Sequence, residues 1–255
     1  KPFVGFGDPV LQGSVSAAPK APRRITLGGS GATNVQAIRE LTPVPQTGAM
    51  LNDLAAALGA SSADVYTGAR GSEGALAALN VTGGLSKYRV AAFATHALVA
   101  GELQRLGLDE PALVLTPPAN DNPQPADDGL LRASEVVGLS MNADWVLLTA
   151  CNTAADDGAL GAEPLSGLAK SFFYAGARSI LVSHWPAEAN ATARLATAMI
   201  REKEAGATKA RALQTAMRAM KADRACPAGE TARTDCLENA HPALWGGFAI
   251  VGEGR

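Results

Sequence analysis

Two side chains in this sequence have the chemistry and the setting of a nucleophile and its base. Cys151 follows the apolar run Trp145-Val146-Leu147-Leu148-Thr149-Ala150 and is itself followed by loop formers, Asn152 to Gly158. His96 ends a similar run, Tyr88-Arg89-Val90-Ala91-Ala92-Phe93-Ala94-Thr95. A thiol placed where a buried strand gives way to a loop is held by a rigid element yet open to a ligand. Residue numbers 96 and 151 differ by 55, so two parallel neighbouring strands ending on one sheet edge would put imidazole beside thiol. Proton transfer from Cys151 to His96 gives a thiolate–imidazolium pair, which attacks a carbonyl while His96 protonates the departing amine. Water then hydrolyses the thioester, and the backbone N–H groups of Ala97 and Cys151 are placed to donate to the oxyanion. Taken singly, a cysteine after an apolar strand is more often a small core residue, and a lone histidine is more often structural. The specificity lies in the two strand ends together.

The elements that must position this pair follow from apolar periodicity. Residues 3–7 read as a strand with Asp8-Pro9 as its turn, and residues 11–34, rich in Gly, Ser, Pro and Ala around Arg23-Arg24, as a flexible loop. Its Gly28-Gly29-Ser30-Gly31 cluster lacks the Lys-Ser/Thr ending of a phosphate loop and reads as a plain turn. Helical spacing runs over 35–41 and 50–58, separated by Pro43 and Pro45. A short strand over 64–68 precedes a helix that starts at Ser72 and reaches about Leu79. Past His96, residues 111–116 read as a strand and 117–126 as an exposed loop. Then come Leu130-Leu131 and a short helix with Ser134 as N-cap and Val137 and Leu139 on its buried side. A helix over 163–176 ends at Gly176, and the strand 179–183 runs into His184-Trp185-Pro186. Helices over 188–204 and 207–222 lead to an aromatic turn and a last strand, 248–251. Apolar strands alternating with helices imply a largely parallel sheet covered on both faces, with its ligand crevice beyond the carboxyl ends of the strands. His96, Cys151 and the 184–188 turn share that edge. His184 is expected to line the pocket and His241, before Pro242, to be structural.

Composition narrows the function classes. A net charge of −2 and 47% hydrophobic residues over 255 positions fit a globular domain whose main partner is neither nucleic acid nor an anionic membrane. No apolar run approaches the roughly 20 residues that span a bilayer. The three cysteines form no disulfide framework; Cys226 and Cys236 flank a polar loop and read either as a pair in an oxidising compartment or as two free thiols in a surface insertion. Three histidines with no H-x-x-x-H or C-x-x-C spacing do not point to a metal site. The chain opens at Lys1 without a methionine and is expected to be a piece of a longer protein.

Five runs carry a resemblance: F-A-T-H-A, D-D-G-L-L-R-A-S-E-V, L-L-T-A-C-N-T-A, G-L-A-K-S-F-F-Y-A-G-A-R-S-I-L-V-S-H-W-P and H-P-A-L-W-G-G-F-A-I-V-G. With the opening F-V-G-F-G-D-P, they make nearly the whole chain resemble a CHAT domain. These are caspase-like cysteine peptidase domains of the clan that also holds caspases, separase and clostripain, usually attached to tetratricopeptide repeats. The resemblance implies a three-layer α/β caspase–hemoglobinase-like fold, mostly parallel sheet with helices on both faces, in a single domain over residues 1–255. It implies His96 and Cys151 as the catalytic dyad, in the order and near the spacing of about 50 residues found in caspases. It also implies a tetratricopeptide-repeat region of the same protein, N-terminal to this chain, as a regulatory partner.

The expected activity is that of a cysteine endopeptidase cleaving a protein or peptide substrate. Clan members with a basic P1 preference carry an acid in the S1 pocket. Where CHAT domains commonly read V-D-D after the W-P pair, this chain reads Ala187-Glu188-Ala189. Glu188, Asp128 and Asp157 are the candidate acids, Thr149 the candidate pocket floor, and a basic P1 residue the expectation. The competing reading of Glu188 is a helix-starting acid favoured by the dipole. Two other functions stay open: a catalytically silent caspase-like interaction module, and a non-peptidase hydrolase or acyl transferase using the same dyad. No cofactor is expected; calcium activates some clan members, but Asp127-Asp128 and Asp156-Asp157 read equally well as solvated turn residues. The expected location is the cytoplasm, or the periplasm should Cys226 and Cys236 pair.

Overall fold

The computed structural model describes residues 1–12, 38–99, 108–119, 127–149, 167–185, 188–224 and 239–254. Strands β1 (Phe3–Gly7), β2 (Val65–Tyr66), β3 (Val90–Ala94), β7 (Trp145–Leu148), β8 (Ser179–Ser183) and β9 (Phe248–Gly252) form one six-stranded sheet in the order β2-β1-β3-β7-β8-β9. All its pairings are parallel except β8–β9. The strands are apolar on both sides, as a sheet buried between two helical layers requires. In β3 and β7, Ala91, Phe93, Val146 and Leu148 face one layer while Val90, Ala92, Trp145 and Leu147 face the other. The first layer contains α2 (Glu73–Val81), α3 (Ala133–Val137) and α4 (Gly167–Tyr174); the second contains α1 (Gln46–Ala57), α5 (Ala189–Glu204) and α6 (Lys209–Ala222).

On the first face of the sheet Phe6 stacks on Phe93 with centroids 5.7 Å apart, and Phe172 of α4 packs tilted against Phe93 at 5.1 Å; each is fully buried. Truncating such a ring to alanine costs about 3–5 kcal/mol. Helix starts follow local chemistry. Ser72 accepts from the Ala75 N–H at 3.3 Å, and Thr208 from the Arg211 N–H at 3.2 Å. At the end of α4, Gly176 takes φ 106°, and a Cβ there would lie 2.3 Å from the Met141 carbonyl oxygen, so only glycine fits.

Residues 112–114 depart from the expectation of one parallel sheet. Because β3 and β7 are hydrogen-bonded directly to each other, no lane is left between them. Instead β5 (Ala112–Val114) pairs antiparallel with β4 (Ala97–Leu98) and β6 (Leu130–Arg132) in a separate three-stranded sheet. The short helix that follows also differs in detail. Ser134 is not its cap but lies inside it, where Glu110 receives both its N–H at 2.8 Å and its hydroxyl at 2.7 Å. Its buried residue is Val136, at 0% exposure, while Val137 is 48% exposed. The turn of the helix sets that phase, and the i,i+3 partner of Val136 on the buried side is Leu139.

Candidate active site

Parallel strands bring their carboxyl ends to one edge, where β1 is followed by Asp8, β3 by Thr95 and His96, β7 by Thr149, and β8 by His184 and Trp185. The β3–β7 register runs from Val90 opposite Trp145 to Phe93 opposite Leu148, a constant offset of 55. Thr149 continues it, its N–H donating to the Phe93 carbonyl at 3.1 Å.

His96 lies two residues past β3 and is held at three points. The Thr95 hydroxyl donates to the Val114 carbonyl at 2.5 Å, and the Val114 N–H donates to the His96 carbonyl at 2.9 Å. The third point is the ring: Nε2 lies 2.7 Å from the backbone carbonyl oxygen of Thr42. A carbonyl only accepts, so Nε2 carries the proton in this contact, and in the neutral ring Nδ1 keeps the lone pair. The ring is half-buried, so it is fixed without being sealed from solvent. An imidazole with one nitrogen anchored to an acceptor and the other free to take a proton is oriented as a general base.

Thr42 carries no sequence signal of this role, because its contribution is a main-chain oxygen. Local chemistry nevertheless fixes it. Pro43 restricts the residue before it to extended backbone, and Pro45 sits at the N-cap of α1. The Thr47 hydroxyl donates to the Val44 carbonyl at 2.8 Å and accepts the Asp8 N–H at 3.0 Å. The 42–47 segment is thereby tied to the end of β1 and to the His96 ring at once. Asp8 is the one non-glycine residue with positive φ, 45°, among the described residues. Burial raises its carboxyl above the ordinary aspartate range.

The other residues singled out from sequence fall in several places. Cys151 and Asp157, and with them Cys226 and Cys236, lie outside the described residues. Ala97, whose N–H is the expected oxyanion donor, is 6% exposed in β4 opposite Leu113. The Thr149 hydroxyl donates to the Phe93 carbonyl at 3.3 Å, at the edge between β3 and β7. His184 is exposed, its N–H donating to the Gly247 carbonyl at 2.9 Å. The ring of His241 caps a short helical turn, with Nδ1 accepting the Ala243 N–H at 3.2 Å.

Asp128, the second candidate acid, is buried rather than open at the edge. It is 1% exposed and ion-paired with Arg132 at 2.6 Å, and its second oxygen accepts the Leu130 N–H at 3.0 Å. Beside it, one oxygen of Glu73 accepts three backbone N–H groups, from Asp128, Gly129 and Leu130, at 2.8, 2.6 and 3.1 Å. Burial first, then the nearby Glu135 charge, pushes the Glu73 carboxyl up to about 7 despite these donors. The pair of acids is a latch that joins α2 to the three-stranded sheet. Glu188 follows the dipole reading: its two oxygens accept the Asn190 and Ala191 N–H groups at 2.8 and 2.6 Å, capping α5. Among the described residues, no group of three or more His, Cys, Asp or Glu side chains is arranged to hold a metal ion.

A mostly parallel six-stranded sheet, helices on both faces and an oriented histidine at the carboxyl edge define a caspase-like α/β domain. The chain belongs to the CHAT domain family, which it matches over residues 8–253. It is therefore a caspase-like, peptidase-related domain. No curated protein matches the chain.

Proposed function

We propose that this domain is a cysteine endopeptidase in which Cys151 is the nucleophile and His96 the base. The observation that carries the reading is the 2.7 Å contact between His96 Nε2 and the Thr42 carbonyl, which leaves Nδ1 to accept the thiol proton. The 55-residue offset of the β3–β7 pairing supports it, because the same number separates His96 from Cys151 in the sequence. The thiolate attacks the scissile carbonyl, and the Ala97 and Cys151 N–H groups stabilise the oxyanion. His96 then returns its proton to the leaving amine, and a water, deprotonated by the same ring, releases the acyl group. The proposed preference is for a basic P1 residue, recognised by Asp157 and Glu188 with Thr149 on the floor. The capping oxygens of Glu188 each use one lone pair and keep another for an incoming guanidinium or ammonium. Regulation is proposed to come from a tetratricopeptide-repeat region of the same protein.

The test is intact mass after incubation with an arginyl chloromethyl ketone, wild type beside Cys151→Ala. A gain of one inhibitor in wild type alone is the expected result. No gain, with Cys151 still alkylated by iodoacetamide, overturns the basic P1 preference, and no gain from leucyl and aspartyl ketones as well overturns the endopeptidase reading in favour of a silent interaction module.

A further inference from the structure

The main chain that carries His96 does not hang from the six-stranded sheet. β3 and β7 are last paired at Phe93 and Leu148. From there Thr95 and His96 turn to β5: the Val114 carbonyl accepts the Thr95 hydroxyl at 2.5 Å, and the Val114 N–H donates to the His96 carbonyl at 2.9 Å. Val114 is in turn paired with Leu130 of β6. The position of the imidazole is therefore inherited from the three-stranded sheet. Its anchor is not, because the segment that carries the Thr42 carbonyl is tied to β1 through Thr47 and Asp8. The 2.7 Å contact between Nε2 and that carbonyl joins two separately held segments, and it lasts only while the small sheet keeps its seat.

An acid seats that sheet. Glu73, in the first turn of α2 and 4% exposed, gathers the N–H groups of Asp128, Gly129 and Leu130 on one oxygen. Gly129 takes φ 90° there, and a Cβ would lie 2.8 Å from Pro117, so the turn that aims the three groups is closed to other residues. The Gly129 carbonyl accepts the Leu115 N–H at 2.8 Å, which extends the same grip to β5. Thr116 adds neutral ties, its hydroxyl donating to the Gly68 carbonyl at 2.6 Å and its N–H to the Gly71 carbonyl at 2.8 Å. Helix α2 is itself set in the core by Leu76, at 1% exposure. Burying a carboxyl is costly, and a buried polar group with its bonds made rigidifies what it holds. The path from this one to the ring is short: Glu73 to Leu130, across the ladder to Val114, and on to His96. We infer that Glu73 is a positioning residue for the His96 base, acting through the 128–130 turn and β5, an inference that rests on the peptidase reading of the same histidine.

The test reads the ring itself. In the Cys151→Ala background, which takes the thiol away as a partner, ring-nitrogen NMR reports the tautomer of His96 beside those of His184 and His241, the other two histidines of the chain. With Glu73 in place, His96 carries its proton on Nε2 alone, as the Thr42 contact requires. Glu73→Ala makes that ring a mixture of tautomers and leaves the other two histidines as they were. Glu73→Gln, which keeps an acceptor oxygen, restores the single form. With Cys151 present, labelling by the arginyl chloromethyl ketone falls roughly 10–100-fold in Glu73→Ala and recovers in Glu73→Gln. An unaltered His96 ring in Glu73→Ala overturns the inference, and so does a change shared by all three histidines, the mark of general loosening. Should Glu73→Ala not fold, Glu73→Asp keeps the charge and withdraws the oxygens by one methylene, and an unaltered ring there overturns it equally. A wild type labelled by none of the arginyl, leucyl and aspartyl ketones fails the peptidase reading, while the ring spectra decide the hold of Glu73 on His96 independently.

Discussion

At the amino ends of the strands, Lys1 Nζ lies 2.8 Å from Asp64 and 3.0 Å from the Tyr88 hydroxyl, which itself donates to Asp64 at 2.6 Å. Next along that end, Asp144 receives Arg89 at 3.3 Å and also pairs with Arg178, while its carbonyl accepts from Lys209 and Ser179, both at 2.8 Å. At the carboxyl ends the pattern reverses. Asp8 is strained and its carboxyl raised by burial, one nitrogen of His96 is anchored and the other free, and Trp185 keeps a face open to solvent. The first end uses its polar groups to close the sheet against water. The second holds polar and aromatic groups in place by main-chain contacts. Backbone strain of the kind seen at Asp8 persists where the rest of the structure over-determines it, and it clusters at functional sites.

That contrast can be broken by substitution. His96→Ala should slow labelling of Cys151 by the peptidyl ketone roughly 10³-fold while leaving the melting temperature nearly unchanged; an unaltered rate would show that the carboxyl end holds no base. The Glu73–Asp128–Arg132 latch is the exception at this end, buried and paired. Asp128→Ala removes the shorter of the ion pairs of Arg132, at 2.6 Å against 3.8 Å to Glu135, and should cost about 3 kcal/mol in urea unfolding. A loss of well under 1 kcal/mol would mean that Arg132 finds other compensation.

Glu73 predicts a pH dependence. Its folded carboxyl titrates at about 7 against an ordinary 4.5. Between those values the folded chain holds the proton more tightly than the unfolded one, so stability falls as pH rises through the window and levels off above it. The effect is about 3 kcal/mol at most. Glu73→Gln should flatten the decline in melting temperature, and identical profiles for the two proteins would remove Glu73 as its source. Smallest of all, Asp144→Ala breaks pairs whose partners, Arg89 and Arg178, are 59% and 43% exposed. It should cost about 0.5–1 kcal/mol with no change in Cys151 labelling. A large effect on labelling would mean that the two ends are coupled.

Much of this was legible in the chain. The strands around Phe93, Leu147 and Leu181 announce themselves as apolar runs between glycines and polar turns, because both faces of the sheet are buried. Ser72 and Gly176 mark helix ends through side-chain or φ requirements that a sequence displays directly. The short helix after β6 was legible in place but not in phase, since five residues hold too few turns to separate Val136 from Val137. The antiparallel sheet of β4, β5 and β6 was not legible, because strands of two or three residues show no period and their pairing partners are distant.

By itself, then, the sequence determined the parallel α/β sheet, the strand end beside which His96 lies, and the family motifs. Those are properties of side-chain type and local spacing. The tertiary structure decided what each acid is bound to and which nitrogen of His96 is anchored. Asp128 and Glu188 look alike as letters, yet one is enclosed by Arg132 and the other caps α5. Thr42 orients the histidine from 54 residues away through a carbonyl that every residue possesses. A main-chain acceptor has no letter of its own, so only the fold could assign it.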